Sequence, residues 1–427
     1  MVKNLKSYDV VIAGGGIAGV SCAYNCAKLK LKTLLIEKEN YLGGDITGAL
    51  VVPVMKCETK NINCGFYNSL VSESKKYNAQ VTYGDSNEGW FNPVILKSVL
   101  DDMLCKAGAD ILFESEIKSA QLTDSTIKSV EISTKVLSIP VESKYFVDAT
   151  GNASFSKILN CTFWNDNDIK QPASLRFILS GVDLNKLADF LKSTDADKNV
   201  TTTYRIDSSI HLSTAYTWDS TKKWALKPYF DSAVKDGILK ESDTAYFQIF
   251  TIAGMPDSVA FNCPRLQGVS EDAFEYSKAL IEARKAVIRL YNFVKTRIPG
   301  FENSYITNIA PKTGRREISR VKCLYDYTIE DIINEKDFEH PALKSNYPVD
   351  IHSNKKNESV LYKVRSYTLP VESLMSRDFK NLFVAGKIAG VDFRSHGALR
   401  VQSSCMSMGE AVAKEIYSRI KNIKNIN

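Results

Sequence analysis

The apolar and polar positions divide the chain into three stretches. Val10 to Ala13 form an unbroken apolar run, as a strand buried on both faces requires. Ala18 to Leu29 then reads as a helix with small residues on its packing side, and "KTLLIEKE" reads as a second buried strand ending at Glu37. "YFVDATGNAS" and, near the end, "NLFVAGKIAG" are further buried strands that stop in small residues. Between about Thr162 and Val360 the period changes. "ASLRFILSGVD" and "TAYFQIFTIAG" alternate like sheet strands, and "SEDAFEYSKALIEARKAVIRLYNFVKTRI" is a long amphipathic helix with its cap expected at Ser270. Met406 to Ile420 is an apolar closing helix.

This pattern predicts an α/β fold in two units. A Rossmann-type domain, a parallel sheet with helices on both faces, is split in sequence between residues 1–161 and 361–427. An α+β substrate domain with a mostly antiparallel sheet takes residues 162–360. No internal repeat or low-complexity linker interrupts them.

Candidate chemistry sharpens the first unit. Gly14, Gly16 and Gly19 stand in G-x-G-x-x-G spacing between the first strand and its helix. The first glycine allows a tight turn, the second a close approach of backbone to a pyrophosphate, and the third close packing of helix on strand. The helix start, at Ala18, offers free N–H groups and partial positive charge to phosphates. Glu37, followed by Lys38, can accept hydrogen bonds from ribose hydroxyls. A lone glycine motif is weak, but here strand, turn, helix, second strand and terminal acid come in order. The loop "YLGGDITGALVVPV" adds Gly43, Gly44 and Gly48, which permit a backbone flush against a flat ligand, and Thr47, which can offer a hydroxyl. The later strand ends add Ala149, Thr150 and Gly151, then Ala385 and Gly386, where a ligand would cross the carboxyl edge of the sheet.

Composition narrows the classes. The chain has 427 residues, 44% hydrophobic and 24% charged, with a formal net charge of +6. Basic and acidic residues are mixed, so nucleic acid is not an expected partner. Nine cysteines occur at irregular spacing without CxxC, and the four histidines (His211, His340, His352, His396) lack metal-ligand spacing. No metal or iron–sulfur cluster is expected. The start of the chain has neither a signal-peptide layout nor a membrane-length segment, which leads to an expectation of a cytoplasmic protein with no membrane partner.

Taken together, these motifs resemble the FAD-dependent oxidoreductases of glutathione-reductase type, closest to a broad bacterial group. The resemblance runs nearly end to end. It includes the glycine unit with Glu37, the loop of Gly43, Gly44, Thr47 and Gly48, and the Asp148-Ala149-Thr150-Gly151 turn. It continues through "PKTGRREISRVKCLYDYTIEDI" with Gly314, Arg316, Glu317 and Arg320, through "YPVDIH" and "YTLPVESL", and through the closing pattern of Ala385, Gly386, Arg400, Val401, Cys405, Met406 and Gly409. The resemblance implies FAD as cofactor. One departure stands out: where many members carry a histidine, this chain has Phe393, and its own histidine is His396.

In this fold the last strand leads to a helix whose start faces the flavin. Gly397, Ala398 and Leu399 are expected there, with free N–H groups to stabilise negative charge on the reduced ring. Arg400 is a candidate to pair with a flavin oxygen or a substrate carboxylate, or else with a core acid. His396 is a candidate proton donor, or else a structural histidine. Arg316 and Arg320 are better candidates for substrate contact than the aromatics of the middle region, because the resembling segment carries them. Tyr204, Arg205, His211, Tyr216 and Trp218, with Arg315, Arg316 and Arg320, form either an anion-friendly pocket or core aromatics and ion pairs. Cys405 is expected to be a buried small residue rather than a redox thiol. Asp392 and Arg394 either line the pocket or face solvent.

The expected activity is hydride transfer between a small organic substrate and FAD, with an anionic group on the substrate fitting the arginines. NAD(P)H or another electron donor or acceptor is a candidate partner, although no second glycine-rich nucleotide motif is present. A flavin monooxygenase and a flavin electron-transfer component are the alternatives.

Overall fold

The computed structural model describes residues 6–55, 62–83, 89–165, 171–195, 200–206, 208–215, 223–266, 272–316, 319–352 and 360–426. Lys6–Ala13 sits at the centre of a seven-stranded sheet, paired in parallel with Thr33–Ile36 on one side and Ser138–Asp148 on the other. Asp110–Leu112 extends it in parallel beyond Thr33–Ile36. The far edge of Ser138–Asp148 is shared. Its first half pairs antiparallel with Thr126–Thr134, and its last residues pair in parallel with Leu382–Val384 from the C-terminal region. The strand completing the sheet thus comes from the far end of the chain.

The first strand shows why this sheet must be covered on both faces. Val10 and Ile12 enter one core cluster, Val11 and Ala13 another, all at 0–4% exposure. Side chains alternate across a strand, so burial on both sides yields the unbroken apolar run. Val10, Val11 and Ile12 each contribute about 1.5–3 kcal/mol by leaving water. The Ile17–Lys28 helix covers one face together with the Gln402–Ile426 helix. The two helices approach closely: a Cβ on Gly409 would overlap the Ala18 carbonyl oxygen, and Ser21 Oγ donates to the Met406 carbonyl at 2.6 Å.

The second unit is built on a six-stranded antiparallel sheet. Its order is Thr201–Ile206, Ser209–Ala215, Gln248–Ile252, Met255–Phe261, Phe177–Ser180 and Tyr305–Ile309. The Ala273–Arg297 helix packs on it through Ala283, Val287, Leu290 and Val294, at the three- and four-residue spacing of one helix face. Its cap is Asp272, whose carboxylate accepts from the N–H groups of Phe274 and Glu275; the expected cap, Ser270, lies outside the described residues. Among the described residues no helix is long and apolar enough to cross a membrane, and no group of three or more His, Cys, Asp or Glu could hold a metal ion.

Candidate functional site

Four parallel strands end at the same edge of the large sheet. Ala13–Gly14, Ile36–Glu37, Ala149–Gly151 and Ala385–Gly386 there line one cleft of about 800 Å³. Open α/β sheets place ligands at this carboxyl edge, because the strands stop there while turns and helix starts leave backbone groups free.

The glycine turn is shaped by its neighbours. Gly14 has φ +100°, which a side chain disfavours, and a Cβ there would sit 2.5 Å from the Ala149 carbonyl oxygen. Gly19 does not line the cleft; a Cβ would overlap the Gly14 carbonyl oxygen, so its role is helix-to-strand packing. Gly16 is different. A Cβ there would meet nothing closer than 3.8 Å, and the residue faces the cleft. The space it keeps open is therefore space for a ligand. Gly43, Gly44, Ala18 and Lys38 line the same cleft.

Glu37 is 7% exposed and tied to the turn. Its Oε2 accepts from the Gly15 N–H at 2.6 Å and its Oε1 from the Glu39 N–H at 2.8 Å. Burial raises its pKa, and these N–H groups work against the rise. Each carboxylate oxygen has accepted one bond and can accept another, and Glu37 lines the cleft.

Cations gather along the wall formed by the other elements. Asp45 of the glycine loop pairs with Lys387 at 2.6 Å and with Lys312 at 3.4 Å. Burial opposes its ionisation, but Lys387 and Lys312 outweigh burial and hold the carboxyl well below its usual range. The Arg315 guanidinium stacks 4.1 Å from the Tyr276 ring centre, and both line the cleft. Arg400 lines it too, with Nη2 donating to the Asp350 carbonyl at 2.9 Å.

Behind Arg400 lies a buried polar network. His352 Nε2 is 3.2 Å from Asp350 Oδ2, and His352 Nδ1 is 3.1 Å from Arg265 Nη2. Arginine can only donate, so Nδ1 accepts and the Nε2 proton points at Asp350. Burial, with Arg316 nearby, pushes the imidazole down to about 3, so it is neutral. Asp350 is held below its usual range against burial by His352, then Arg400 and Arg316. Arg316 is 7% exposed; it donates to the Pro172 carbonyl and reaches Ser174 Oγ at 3.4 Å. Burial first, then Arg400, Arg265 and Arg176, lowers its pKa well below normal.

Several expectations need correction. Gly397, Ala398 and Leu399 do not open the helix facing the cleft. They close a short helix, Phe393–Leu399, capped by Asp392, and none of them lines the cleft. Gly397 packs instead on Asp350 and Ile351. The helix start at the cleft is five residues after Gly397, where Gln402 and Cys405 join Arg400. The Thr47 hydroxyl is spent on the Leu42 carbonyl, and Gly48 lies against the Tyr41 ring. His396 is 2% exposed and off the cleft; burial, then Arg400, Arg320 and Lys387, lowers its pKa, so it is neutral. Arg316 is off the cleft as well and adjoins it through Arg400. Arg320 Nη1 donates to the Val391 carbonyl at 2.9 Å.

The middle aromatics do not gather with these arginines. Tyr204 and His211 pack on Tyr83, with ring centres 4.8 and 5.8 Å away, while Arg205 is exposed and donates to Asn185. Tyr216, Trp218 and Glu317 lie outside the described residues. Cys405 is buried at the cleft and Arg394 faces solvent. Sequence reasoning missed Asp45, Lys312, Lys387, Arg176, Arg265 and the Asp350–His352 pair. The last two sit inside "YPVDIH", a stretch already singled out but not for chemistry.

Comparison with known proteins agrees with this geometry. A 38% identical segment of 65 residues matches the glycerol 3-phosphate oxidase of Mycoplasma genitalium, covering 15% of this chain and 14% of that protein. A 28% identical segment of 130 residues matches the digeranylgeranylglycerophospholipid reductase of Methanococcus vannielii, covering 28% of this chain and 32% of that one. In both, the match spans less than two thirds of the relative. Among solved structures, a geranylgeranyl bacteriochlorophyll reductase-like protein from Thermoplasma acidophilum superimposes with TM-score 0.51 and 15% identity, covering 98% of this chain and 80% of that one. The p-nitrophenol 4-monooxygenase of Pseudomonas putida DLL-E4 gives TM-score 0.51 at 11% identity, covering 98% and 81%. These two likenesses establish the fold. The family model "FAD dependent oxidoreductase" matches residues 9–422, and the chain belongs to that family, with FAD as its cofactor.

Proposed function

We propose that the protein transfers a hydride between a small organic substrate carrying an anionic group and FAD. The residues present suit the cofactor. Gly16 leaves open space beside a helix N-terminus, as a pyrophosphate needs, and Glu37 presents a carboxylate for ribose hydroxyls. Gly43, Gly44, Ala149, Thr150, Gly151 and Gly386 give the cleft thin backbone walls for the rest of the molecule. FAD supplies the site that accepts or gives up the hydride.

The chain's own residues supply position and charge. The observation that carries the reading is Arg400. It stands in the cleft wall at 13% side-chain exposure, steadied by Asp350, with its Nε unpartnered. A guanidinium so placed can orient a carboxylate in a partly dry site, where such a contact is strongest. The antiparallel-sheet unit, taken as residues 162–360, contributes Tyr276, Lys312, Thr313 and Arg315 to the same cleft, which suits a substrate unit closing on the cofactor.

Anaerobic visible spectroscopy of the flavin-loaded protein tests the proposal. Bleaching by NADH or NADPH, followed by re-oxidation of the flavin by a small organic acid, marks a reductase fed by nicotinamide. Bleaching by a small organic acid alone marks a dehydrogenase. A flavin that no organic acid bleaches when oxidised or re-oxidises when reduced, yet that consumes dioxygen with NAD(P)H, would favour a monooxygenase instead.

A further inference from the structure

We infer that Arg176, Arg316 and Arg400 form a binding site for a small dianion, a dicarboxylate or a phosphate ester, opening from the cofactor cleft at Arg400. This rests on the reading of that cleft as the substrate site, and it names the class of substrate.

The first argument is one of unused donors. Arg176 is 9% exposed and its Nη1 has no hydrogen-bond partner. Gln171 is 5% exposed and its Nε2 is also unpartnered, while its Oε1 accepts from the His352 N–H at 3.2 Å. Arg400 Nε is a third. Buried donors are nearly always satisfied, so three of them in one neighbourhood call for an acceptor. The fold keeps room for Arg176 deliberately. Ser174 and Gly314 exchange backbone hydrogen bonds at 3.2 and 2.9 Å, and a Cβ on Gly314 would overlap Arg176 Nη1.

The second argument is charge. Arg316 feels the charges of Arg400, Arg265 and Arg176, Arg176 feels that of Arg400, and Asp350 is the described carboxylate that acts with Arg400 and Arg316. Asp45 acts on Arg176 but already pairs with Lys387 and Lys312. His352 is neutral and adds no charge. Arg176, Arg316 and Arg400, taken by themselves, thus carry more positive charge than Asp350 offsets among the described residues. A buried guanidinium without a counter-charge is costly, and a single monoanion would leave most of the excess in place. The FAD pyrophosphate does not remove it, because that group belongs to the glycine turn, and neither Arg176 nor Arg316 lines that cleft. Planar guanidiniums hold carboxylate or phosphate oxygens two at a time, which suits this donor set.

Isothermal titration of the flavin-loaded protein with succinate, inorganic phosphate and butyrate tests the inference without needing turnover. Succinate or phosphate should bind at least about tenfold more tightly than butyrate, and Arg176→Gln should weaken that binding about tenfold while flavin content holds. Succinate alone binding tightly would identify a dicarboxylate site, and phosphate alone a phosphate site. Should Arg176→Gln fail to fold, Arg176→Lys keeps the charge but loses the fork, and it should still bind more weakly than wild type. The inference is overturned if neither dianion binds below about 10 mM, if butyrate binds as well, or if the Arg176 variants bind as wild type. Tight dianion binding in a protein whose flavin no dianion reduces or re-oxidises would sink the hydride proposal and leave this site standing.

Discussion

Lys387 Nζ lies 2.6 Å from Asp45 Oδ2, joining residues 342 apart in sequence in the lining of the proposed cofactor cleft. The pair links the turn after the last sheet strand to the glycine loop after the second. Neither of those walls is fixed by its own strand alone.

Breaking this pair should loosen the cleft. Lys387→Met removes the nearer of the two cations on Asp45 and leaves Lys312 at 3.4 Å. Both partners are about a fifth exposed, so a loss of roughly 2 kcal/mol is expected, below the ~3–5 kcal/mol of a fully buried pair. Thermal unfolding of the variant should show this, with reduced flavin content. Asp45→Asn combined with Lys387→Met should recover part of the stability, since no half-buried carboxylate then depends on Lys312 alone. If the double variant is no better than Lys387→Met, the pair does not act as a pair.

Gly16 and Gly19 should fail in different ways. Gly16→Ala adds a Cβ that meets no protein atom within 3.8 Å, so the apoprotein should unfold at the wild-type temperature while flavin occupancy falls at least about tenfold. Gly19→Ala drives its Cβ into the Gly14 carbonyl and should destabilise the apoprotein itself. Equal flavin loading in Gly16→Ala and wild type would overturn the placement of the pyrophosphate.

Arg400→Gln should separate chemistry from cofactor binding. Arg400 contacts Asp350 and the cleft but not the glycine turn, so FAD affinity should change little. The rate of anaerobic flavin reduction by substrate should fall about tenfold to a hundredfold, the cost of one charge-assisted contact. Reduction at the wild-type rate would remove Arg400 from the reaction.

Stability should depend on pH through His352. Its pKa falls from 6.5 to about 3 on folding, so the unfolded chain binds more protons between those values. Stability is therefore full above about 6.5 and declines as pH drops toward 3; buried His396 acts in the same direction. His352→Gln should flatten the dependence of the unfolding temperature on pH across that window. An unchanged slope would show that His352 is not the group responsible.

The elements that could be read from the chain are those whose signals are local. Val10–Ala13, the turn from Gly14 to Gly19 and the acid Glu37 follow one another in sequence, and each owes its role to backbone geometry or alternation. That is why the glycine turn, the parallel sheet and the antiparallel middle are legible in the sequence. The local pattern puts the helix start near the end at Gly397, five residues before the observed start at Gln402. Asp392 caps a short helix there that ends at Leu399, before Gln402 begins the next, and Gly397 within it packs on Asp350 and Ile351.

The charged wall is a different case. Arg176, Arg265, Arg316, Asp350, His352 and Arg400 come from distant stretches with no shared spacing, and nothing in any one stretch says which carboxylate meets which cation. Their partners are set when the antiparallel unit and the C-terminal segment fold back onto the first sheet. Burial then decides what each group does. It keeps His352 neutral, turns Asp45 into a cross-cleft tie, and leaves Arg176 with a donor to spare. Backbone conformation and hydrophobic period are written residue by residue, whereas electrostatic pairing in a dry interior depends on which distant groups share it.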